Sequence, residues 1–390
     1  VWSSASGSAE QSAGGERRTT EHEEHRMSKL RLGVIGAGSW AVSSHLPTLA
    51  GRRDELDFAG VSRIGAEPLA RIRDEWGFAM ASEDYRDVLS EGVDVALIAS
   101  PTGFHYEHAK AAMESGAHVL VEKPFTIDPA QAWDLVATAE RTGRHLVVVF
   151  GWNYRPMVRA AKRLMDEHGI GRIEHLSVQM ASVTRELLSN TGVYPDAAPD
   201  TVPEQSTWTD PAISGGGYAQ AQLSHALGLA LWFTDLRAAS VFSLMSAPLG
   251  APVELHDALA VRYDDGAIGT VSGGSCHEGA NGNKHQLEFR AIGDAGQLHV
   301  DVERELAWLW TERGRIDVRM PVQDGDGAYD AEGPTNTIVD LALGKDVDNN
   351  SPGELAARTV ELLDAAYRSA RTGTLEPVAG VEAATTEVRA

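Results

Sequence analysis

Between Lys29 and Phe150 the chain repeats one unit: an apolar run, a turn, then a stretch with apolar residues at helical spacing. The runs LRLGVIG, LDFAGVS, VDVALIAS, HVLVEKP and HLVVVFG are apolar on both faces, and stretches such as EPLARIRDEWG and EHAKAAMESG separate them. A strand that is apolar on both faces has to be covered on both, which a half-wet hairpin does not require. Alternation of such strands with helices predicts a doubly wound α/β unit over residues 29–150, built on a parallel sheet.

The texture changes after Phe150. A helical stretch, PMVRAAKRLMDEHG, and a strand, IEHLSVQMASV, lead into a long Pro-, Thr- and Asp-rich segment ending near Ile213. Connections of that length inside a compact unit are usually lids or binding loops. A helix is expected from about Tyr218 to Phe233. Beyond it, ALAVRYDDGAIGTVSG and LEFRAIGDAGQLHVDVE each place a Gly-containing turn between two strand-like runs, which reads as a large, open, mostly antiparallel sheet. SPGELAARTVELLDAAYRSARTG closes the pattern as a helix over 352–371, entered at Pro352 and ended at Gly373. Residues 151–390 therefore form a second α/β domain, whose closing helix is placed to pack back on the first. Residues 1–28 lack apolar periodicity and are expected to be a disordered extension, with Met27 as a natural start.

Charge narrows the function. The net charge is −22 and the pI about 5.0, so nucleic acid and anionic membrane surfaces repel the chain. No apolar run reaches the roughly 18 residues a membrane span requires. The one cysteine, Cys276, has no partner for an internal disulfide, and a reducing cytoplasm is the expected compartment. His277, His285 and His299 show no metal-ligand spacing, and no metal is expected.

The end of the first strand, GVIGAGSWA, carries the first site. Gly36 permits a tight turn, Gly38 removes the side chain that would block a pyrophosphate, and Ala41 lets helix and strand pack closely. Ser39 and Trp40 open the helix whose N-terminus faces the phosphates, and they join the cofactor-binding set. At the second strand's end NAD enzymes place an acidic residue on the ribose. Here stand Ser62 and Arg63, a hydroxyl and a planar cation suited to the extra phosphate of NADP. Stacking of Arg63 on adenine would instead permit NAD.

The glycine fingerprint, ASPTGFH at the end of the run VDVALIAS, EKP after the run HVLV, WTDPAISGGG before a helix with His225, and the closing AYRSARTG occur in that order. Together they resemble the Gfo/Idh/MocA oxidoreductases, the family of glucose-fructose oxidoreductase and inositol dehydrogenase. The resemblance runs from about Lys29 to Gly373. It implies a Rossmann domain followed by an α/β domain that binds substrate and makes oligomer contacts. By that likeness Lys123 lies near the nicotinamide and the reacting oxygen, with Glu122 tuning it and Pro124 fixing the chain just beyond. Ser100, Pro101, Thr102 and His105 would line the ribose and nicotinamide side.

In many members an Asp precedes the helix histidine by four residues and shares its proton work. This chain has Ala221 there. Tyr218, Gln222 and His225 nevertheless fall on one polar stripe of an apolar helix, so Tyr218 or a loop residue is expected to share the proton with His225. Trp152, Asn153 and Arg155 at the domain junction complete the expected substrate contacts. Trp308 and Trp310 alternate on a strand and read as sheet core or subunit contact. The resulting expectation is an NADP(H)-dependent oxidoreductase, NAD being the other cofactor, that exchanges a secondary alcohol and a carbonyl on a sugar, cyclitol or polyol. Lys123 and His225 are its catalytic pair, and a homodimer or homotetramer its assembly. Two alternatives stand beside it: a glycosidase-type hydrolase retaining its NAD, and a dinucleotide sensor without chemistry.

Overall fold

A computed structural model of the chain describes residues 29–194, 204–277, 285–312, 316–319, 325 and 327–378. The expected extension over 1–28 lies outside the described residues. The first strands are β1 (Leu30–Ile35), β2 (Leu56–Ser62), β3 (Met80–Ser82), β4 (Val95–Ile98), β5 (His118–Val121) and β6 (Leu146–Val148). They form one parallel sheet in the order β3-β2-β1-β4-β5-β6. The order reverses between β1 and β4, so the crevice at their carboxyl ends is where such sheets take ligands. Periodicity marks five of these strands. It misses β3, three half-buried residues too short to show a pattern.

The second sheet contains β7 (Ile173–Ser182), β8 (Ala238–Ser246), β9 (His256–Tyr263), β10 (Ile268–Ser275), β11 (His285–Gly293), β12 (Gly296–Asp301), β13 (Leu306–Thr311), β14 (Ile316–Arg319) and β15 (Glu376–Pro377). Their order is β14-β13-β12-β11-β7-β10-β9-β8-β15. All neighbours are antiparallel except β7 and β10, whose parallel pairing joins the early strand to the later meander. Side chains alternate strictly along β9, with Leu259, Val261 and Tyr263 buried and their neighbours exposed. One face of this sheet is thus core and the other is open.

Helices fill the space between that core face and the parallel sheet. The helix Ser224–Thr234 is buried on nearly every side and has no wet stripe. Gly228 sits where a Cβ would strike the Phe150 ring, so the chain's junction and this helix touch at backbone distance. The closing helix, Gly353–Thr372, packs against β8, against Ser224–Thr234 and against the helix Pro129–Thr142 of the parallel-sheet unit. Trp133 Nε1 of that unit donates to Glu361 Oε1 across 2.6 Å. The two sheets are therefore tied through one shared helix.

One buried group in the second sheet sets a pH dependence. Asp257 is 4% exposed, and neither carboxylate oxygen has a hydrogen-bond partner. Burial, reinforced by the neighbouring Glu254, holds its pKa well above the ordinary carboxylate range. A carboxyl that binds its proton more tightly when folded costs stability as pH rises above the unfolded value, until the folded pKa is passed. Asp257→Asn does not titrate. Its melting temperature should match the parent's near pH 4 and exceed it increasingly toward neutrality, each unit of lifted pKa contributing ~1.4 kcal/mol. A gap that stays constant over this range in thermal melts would show the carboxyl to be solvated.

Candidate active site

The glycine loop leaves β1 at the reversal point. Gly36 has φ +82°, and a Cβ there would overlap the backbone of Ser100 at the exit of β4. Its amide and that of Ala37 both donate to the Ser62 carbonyl, at 2.8 and 3.0 Å. Three strand ends are thereby drawn together. Gly38 faces open space, since an added Cβ would come no nearer than 3.9 Å to another atom, the Gly36 carbonyl oxygen. A cradle so shaped, with a helix beginning at Ser39, fits a dinucleotide pyrophosphate.

At the far end of the cradle, Ser62 is buried, its hydroxyl 3.5 Å from the Glu83 carbonyl. Arg63 lies back over the loop, donating to the Ala37 carbonyl across 3.3 Å. Burial and the nearby Arg71 both lower its pKa. Neither Arg63 nor Arg71 forms an ion pair with a described residue, and the two lie close enough for the charge of Arg71 to bear on Arg63. The Glu83 carboxylate is occupied by the Gly65 amide at 2.7 Å.

Glu122 and Lys123 follow β5 into the crevice. The Glu122 carboxylate accepts from Trp40 Nε1 at 2.8 Å, from His45 Nε2 at 2.6 Å and from the Lys123 amide at 3.1 Å. Burial works to raise its pKa, but the His45 bond, the charges of His45 and Lys123, and the Trp40 bond outweigh it, leaving the group below the usual range. A carboxylate only accepts, so Nε2 of His45 carries hydrogen. Its Nδ1 meets the Thr335 hydroxyl at 2.8 Å. One Glu122 oxygen is thus held by two side chains of the glycine helix and the other by the Lys123 amide.

The Lys123 side chain crosses the crevice, and its ammonium donates to the Ala221 carbonyl across 3.0 Å. The Lys123–Pro124 peptide bond is cis. Burial lowers the lysine's pKa, and Glu122 partly restores it. Ala221 lies in a π-helical turn, Ala219–Leu223, that runs directly into the helix with His225. Such turns gather at functional sites. The entry to this turn is pinned at Gly217 by Glu254, whose carboxylate takes the Gly217 and Ala219 amides at 2.9 and 3.1 Å and the Tyr367 hydroxyl at 2.6 Å. A Cβ on Gly216 would overlap that hydroxyl and one on Gly217 the Glu254 carbonyl, and Gly215 has φ +82°, so each of the three positions excludes a side chain.

His225 is 5% exposed, and its Nδ1 is buried without a hydrogen-bond partner. Burial drives its pKa well below the ordinary value, and the charges of Lys123 and His285 add to the effect. Its ring stands edge-on to Trp152 at 5.1 Å and to Tyr329 at 4.9 Å, while Tyr329 also faces Trp40 at 6.1 Å. An unsatisfied imidazole nitrogen near a half-buried ammonium and aromatic walls is a place for a polar ligand with an apolar face.

The other expected residues have more varied placements. Gln222 Oε1 accepts from the Ser182 hydroxyl at 3.2 Å, and Tyr218, fully buried, donates to the Met180 carbonyl at 3.1 Å. Burial pushes the Tyr218 hydroxyl far above its ordinary pKa, so it serves as a donor in the wall. Ser100 meets His108 Nδ1 at 2.9 Å, and Pro101 and Thr102 lie beside it on the loop. His105 is sealed behind that loop, with Nε2 2.6 Å from the Ser100 carbonyl and Nδ1 2.9 Å from that of Pro124. It braces the β4 and β5 exits against each other. Trp152 Nε1 donates to the Gly327 carbonyl at 3.1 Å. Asn153 turns to the Asn350 carbonyl at 3.0 Å, and Arg155 to Asp330 and the Gly325 carbonyl. These last two join the junction to later segments. His45, Glu254, His285 and Tyr329 carry no sequence signal of a role, because each is brought in by a partner far along the chain.

Residues 30–150 match the oxidoreductase family with NAD-binding Rossmann fold, GFO/IDH/MocA, and residues 158–299 match the GFO/IDH/MocA C-terminal domain. The uncharacterized oxidoreductase YfiI of Bacillus subtilis is 26% identical over 363 residues, 84% of this chain and 88% of its own. D-glucoside 3-dehydrogenase of Escherichia coli is 28% identical over 191 residues, about half of each chain (49% and 50%). Among solved structures, levoglucosan dehydrogenase in complex with NADH and levoglucosan superposes with a TM-score of 0.73 at 19% identity, over 90% of this chain and 100% of that one.

Proposed function

The chain belongs to the Gfo/Idh/MocA family of oxidoreductases, and from that premise we propose that it is an NADP(H)-dependent dehydrogenase of a sugar, cyclitol or related polyol. The observation that carries this reading is the half-buried Lys123 ammonium, held at the Ala221 carbonyl one helical turn before His225, whose Nδ1 has no hydrogen-bond partner. When bound along the glycine cradle, the nicotinamide supplies hydride exchange with the carbinol carbon. Lys123 stabilises the oxygen as charge develops on it, in a water-poor site where a fixed cation acts strongly. His225, neutral because it is buried, takes the hydroxyl proton. Trp152 and Tyr329 receive the apolar face of the ring and exclude water.

The missing carboxylate at Ala221 is part of this design. Its position is on the wall, but the backbone carbonyl there binds the lysine instead. The chain so keeps its ammonium in place without an acid at that residue, and the proton leaves through His225 alone or through water.

Assay of aldoses, ketoses and cyclitols with both cofactors, followed by nicotinamide absorbance, tests the reading. Net reduction of NADP⁺ by a polyol supports it. A cofactor that never exchanges, with cleavage of a glycoside and no net redox change, would support the hydrolytic alternative, and tight binding with no turnover the sensor.

Arg63 and Arg71, without a described anionic partner, support the 2′-phosphate of NADP as the missing charge. Arg63→Ala should weaken NADPH binding by about 10- to 100-fold and NADH binding far less, since only the former loses a charge-assisted contact. Equal losses in fluorescence titrations would reassign Arg63 to adenine stacking and the enzyme to NAD.

The open face of the second sheet supports a homodimer or homotetramer. Leu244, Ile268 and Trp310 are 64%, 54% and 39% exposed on it, an apolar area that a second copy would cover. With a lone cysteine and a reduced cofactor, the cytoplasm is the compartment this reading carries.

A further inference from the structure

Two of the helical segments among the described residues are π-helical turns, one in the parallel-sheet unit and one in the second. Ala41–His45 follows the glycine cradle, and Ala219–Leu223 opens the helix with His225. Each takes hold of one member of the Glu122–Lys123 pair. The first brings His45 Nε2 to Glu122 Oε1 at 2.6 Å, and the second sets the Ala221 carbonyl 3.0 Å from the Lys123 ammonium. A π turn holds more chain than an α turn and re-aims the groups it carries. Two of them meeting at adjacent residues of one strand exit is more than fastening a loop requires.

His45 is fully buried, and its ring has a partner at each nitrogen. Nε2 gives its hydrogen to Glu122, while Nδ1 meets the Thr335 hydroxyl, on the helix Glu332–Ala342, at 2.8 Å. A hydroxyl can donate or accept, so Thr335 aims the ring in either protonation state. Trp40 Nε1 donates to the same Glu122 oxygen at 2.8 Å, and the Lys123 amide to the other at 3.1 Å. Glu122 is 6% exposed, and a carboxylate so placed keeps its charge only through such donors. Burial raises its pKa, and the His45 bond is the largest of the influences that bring it below the ordinary value. That charge matters one residue on, because burial lowers the Lys123 pKa and Glu122 opposes the fall. His105, His225 and Tyr329 are the other titratable groups whose charge is linked to the pair. Their hydrogen bonds go elsewhere or are unmade, which leaves His45 as the imidazole that holds the carboxylate.

We propose that His45 is a positioning residue that holds the Glu122 carboxylate as an anion beside Lys123, so that the glycine helix supports the lysine's charge through one imidazole. Thr335 fixes the direction of that ring. The effect on turnover rests on the dehydrogenase reading above; the effect on Glu122 does not.

The Trp40 indole N–H donates to the oxygen that His45 holds, so its NMR signal reports the charge of Glu122 without any substrate. In 15N-labelled full-length protein, with the signal assigned by Trp40→Phe, it should be flat between about pH 5 and pH 8 in the parent. In His45→Leu burial loses its strongest opponent, and the signal should titrate within that range. His45→Gln, whose amide can donate to Glu122 and accept from Thr335, should restore the flat line. In turnover, His45→Leu should lower kcat by about 10-fold with KM held within about threefold, and bring the alkaline limb of kcat/KM to lower pH, since the lysine loses its neighbouring anion. In a Glu122→Gln background the same substitution should cost less than about twofold more, because the anion through which it acts is already gone. A cooperative thermal melt in each variant shows that it folds. An indole signal that stays flat in His45→Leu, or losses that multiply in the double variant, overturns the assignment. A parent that oxidises no polyol with either cofactor removes the dehydrogenase reading, a separate outcome, and the indole titration alone then decides the role of His45.

Discussion

Lys123→Met is expected to lower kcat by about 10²–10³-fold, the usual loss when one donor aimed at a developing oxyanion is removed, while dinucleotide affinity holds. Methionine keeps the length and apolar stem of the lysine, so the crevice stays filled. What disappears is the ammonium and its bond to the Ala221 carbonyl. That carbonyl belongs to the turn that leads into the His225 helix, and a looser turn would raise KM as well as lower kcat. Glu254 and Tyr367 hold the same helix from its start, and they limit that contribution. The two effects separate in practice: a lost transition-state contact lowers kcat and kcat/KM together, whereas a shifted helix raises KM. Lys123→Arg keeps the charge but not the compact geometry, and should be intermediate. Turnover undiminished in the methionine variant, with NADPH still bound, would mean that the buried cation has no part in the chemistry.

The parts of this site that were legible in the sequence are those set by local rules. Gly36 and Gly38 are readable because a turn and an approaching phosphate each exclude a side chain, and the structure gives Gly36 a positive φ and Gly38 open space. The parallel sheet is readable because strands buried on both faces are continuous apolar runs. Lys123 is marked by its position at a strand's carboxyl end. The rest depends on which distant segments meet. His45 reaches Glu122 from 77 residues away and Thr335 from 290, and no periodicity reports such a pairing. His285 acquires its place from the register of β11 on β7, a quantity that pattern alone does not fix. Asn153 and Arg155 show the opposite case, since their proximity to the crevice in sequence says nothing of where their side chains turn. Gly216 becomes intelligible only with Tyr367 in view, a residue more than a hundred positions later.

The pH dependence of the same pair gives the second large effect. In the oxidising direction the proposed reaction would need His225 neutral and Lys123 charged. Burial, with the charges of Lys123 and His285, lowers the His225 pKa well below 6.5, so the imidazole stays a base into mildly acidic solution. Burial also lowers the Lys123 pKa below 10.5, so its charge is lost sooner than a free lysine's would be. As pH falls, activity should persist past the ordinary histidine range before protonation of His225 stops it. As pH rises, it should fail earlier than an exposed lysine predicts. kcat/KM is then bell-shaped, with both limbs displaced to low pH. His225→Gln removes the base, lowering kcat/KM by about 10²–10⁴-fold, and the acidic limb should vanish with it, because glutamine does not titrate. Lys123→Arg should carry the alkaline limb upward, since a guanidinium keeps its proton throughout. An acidic limb unchanged in His225→Gln would assign the proton to a different group, and the orphaned Nδ1 would then be a contact for substrate and not a base.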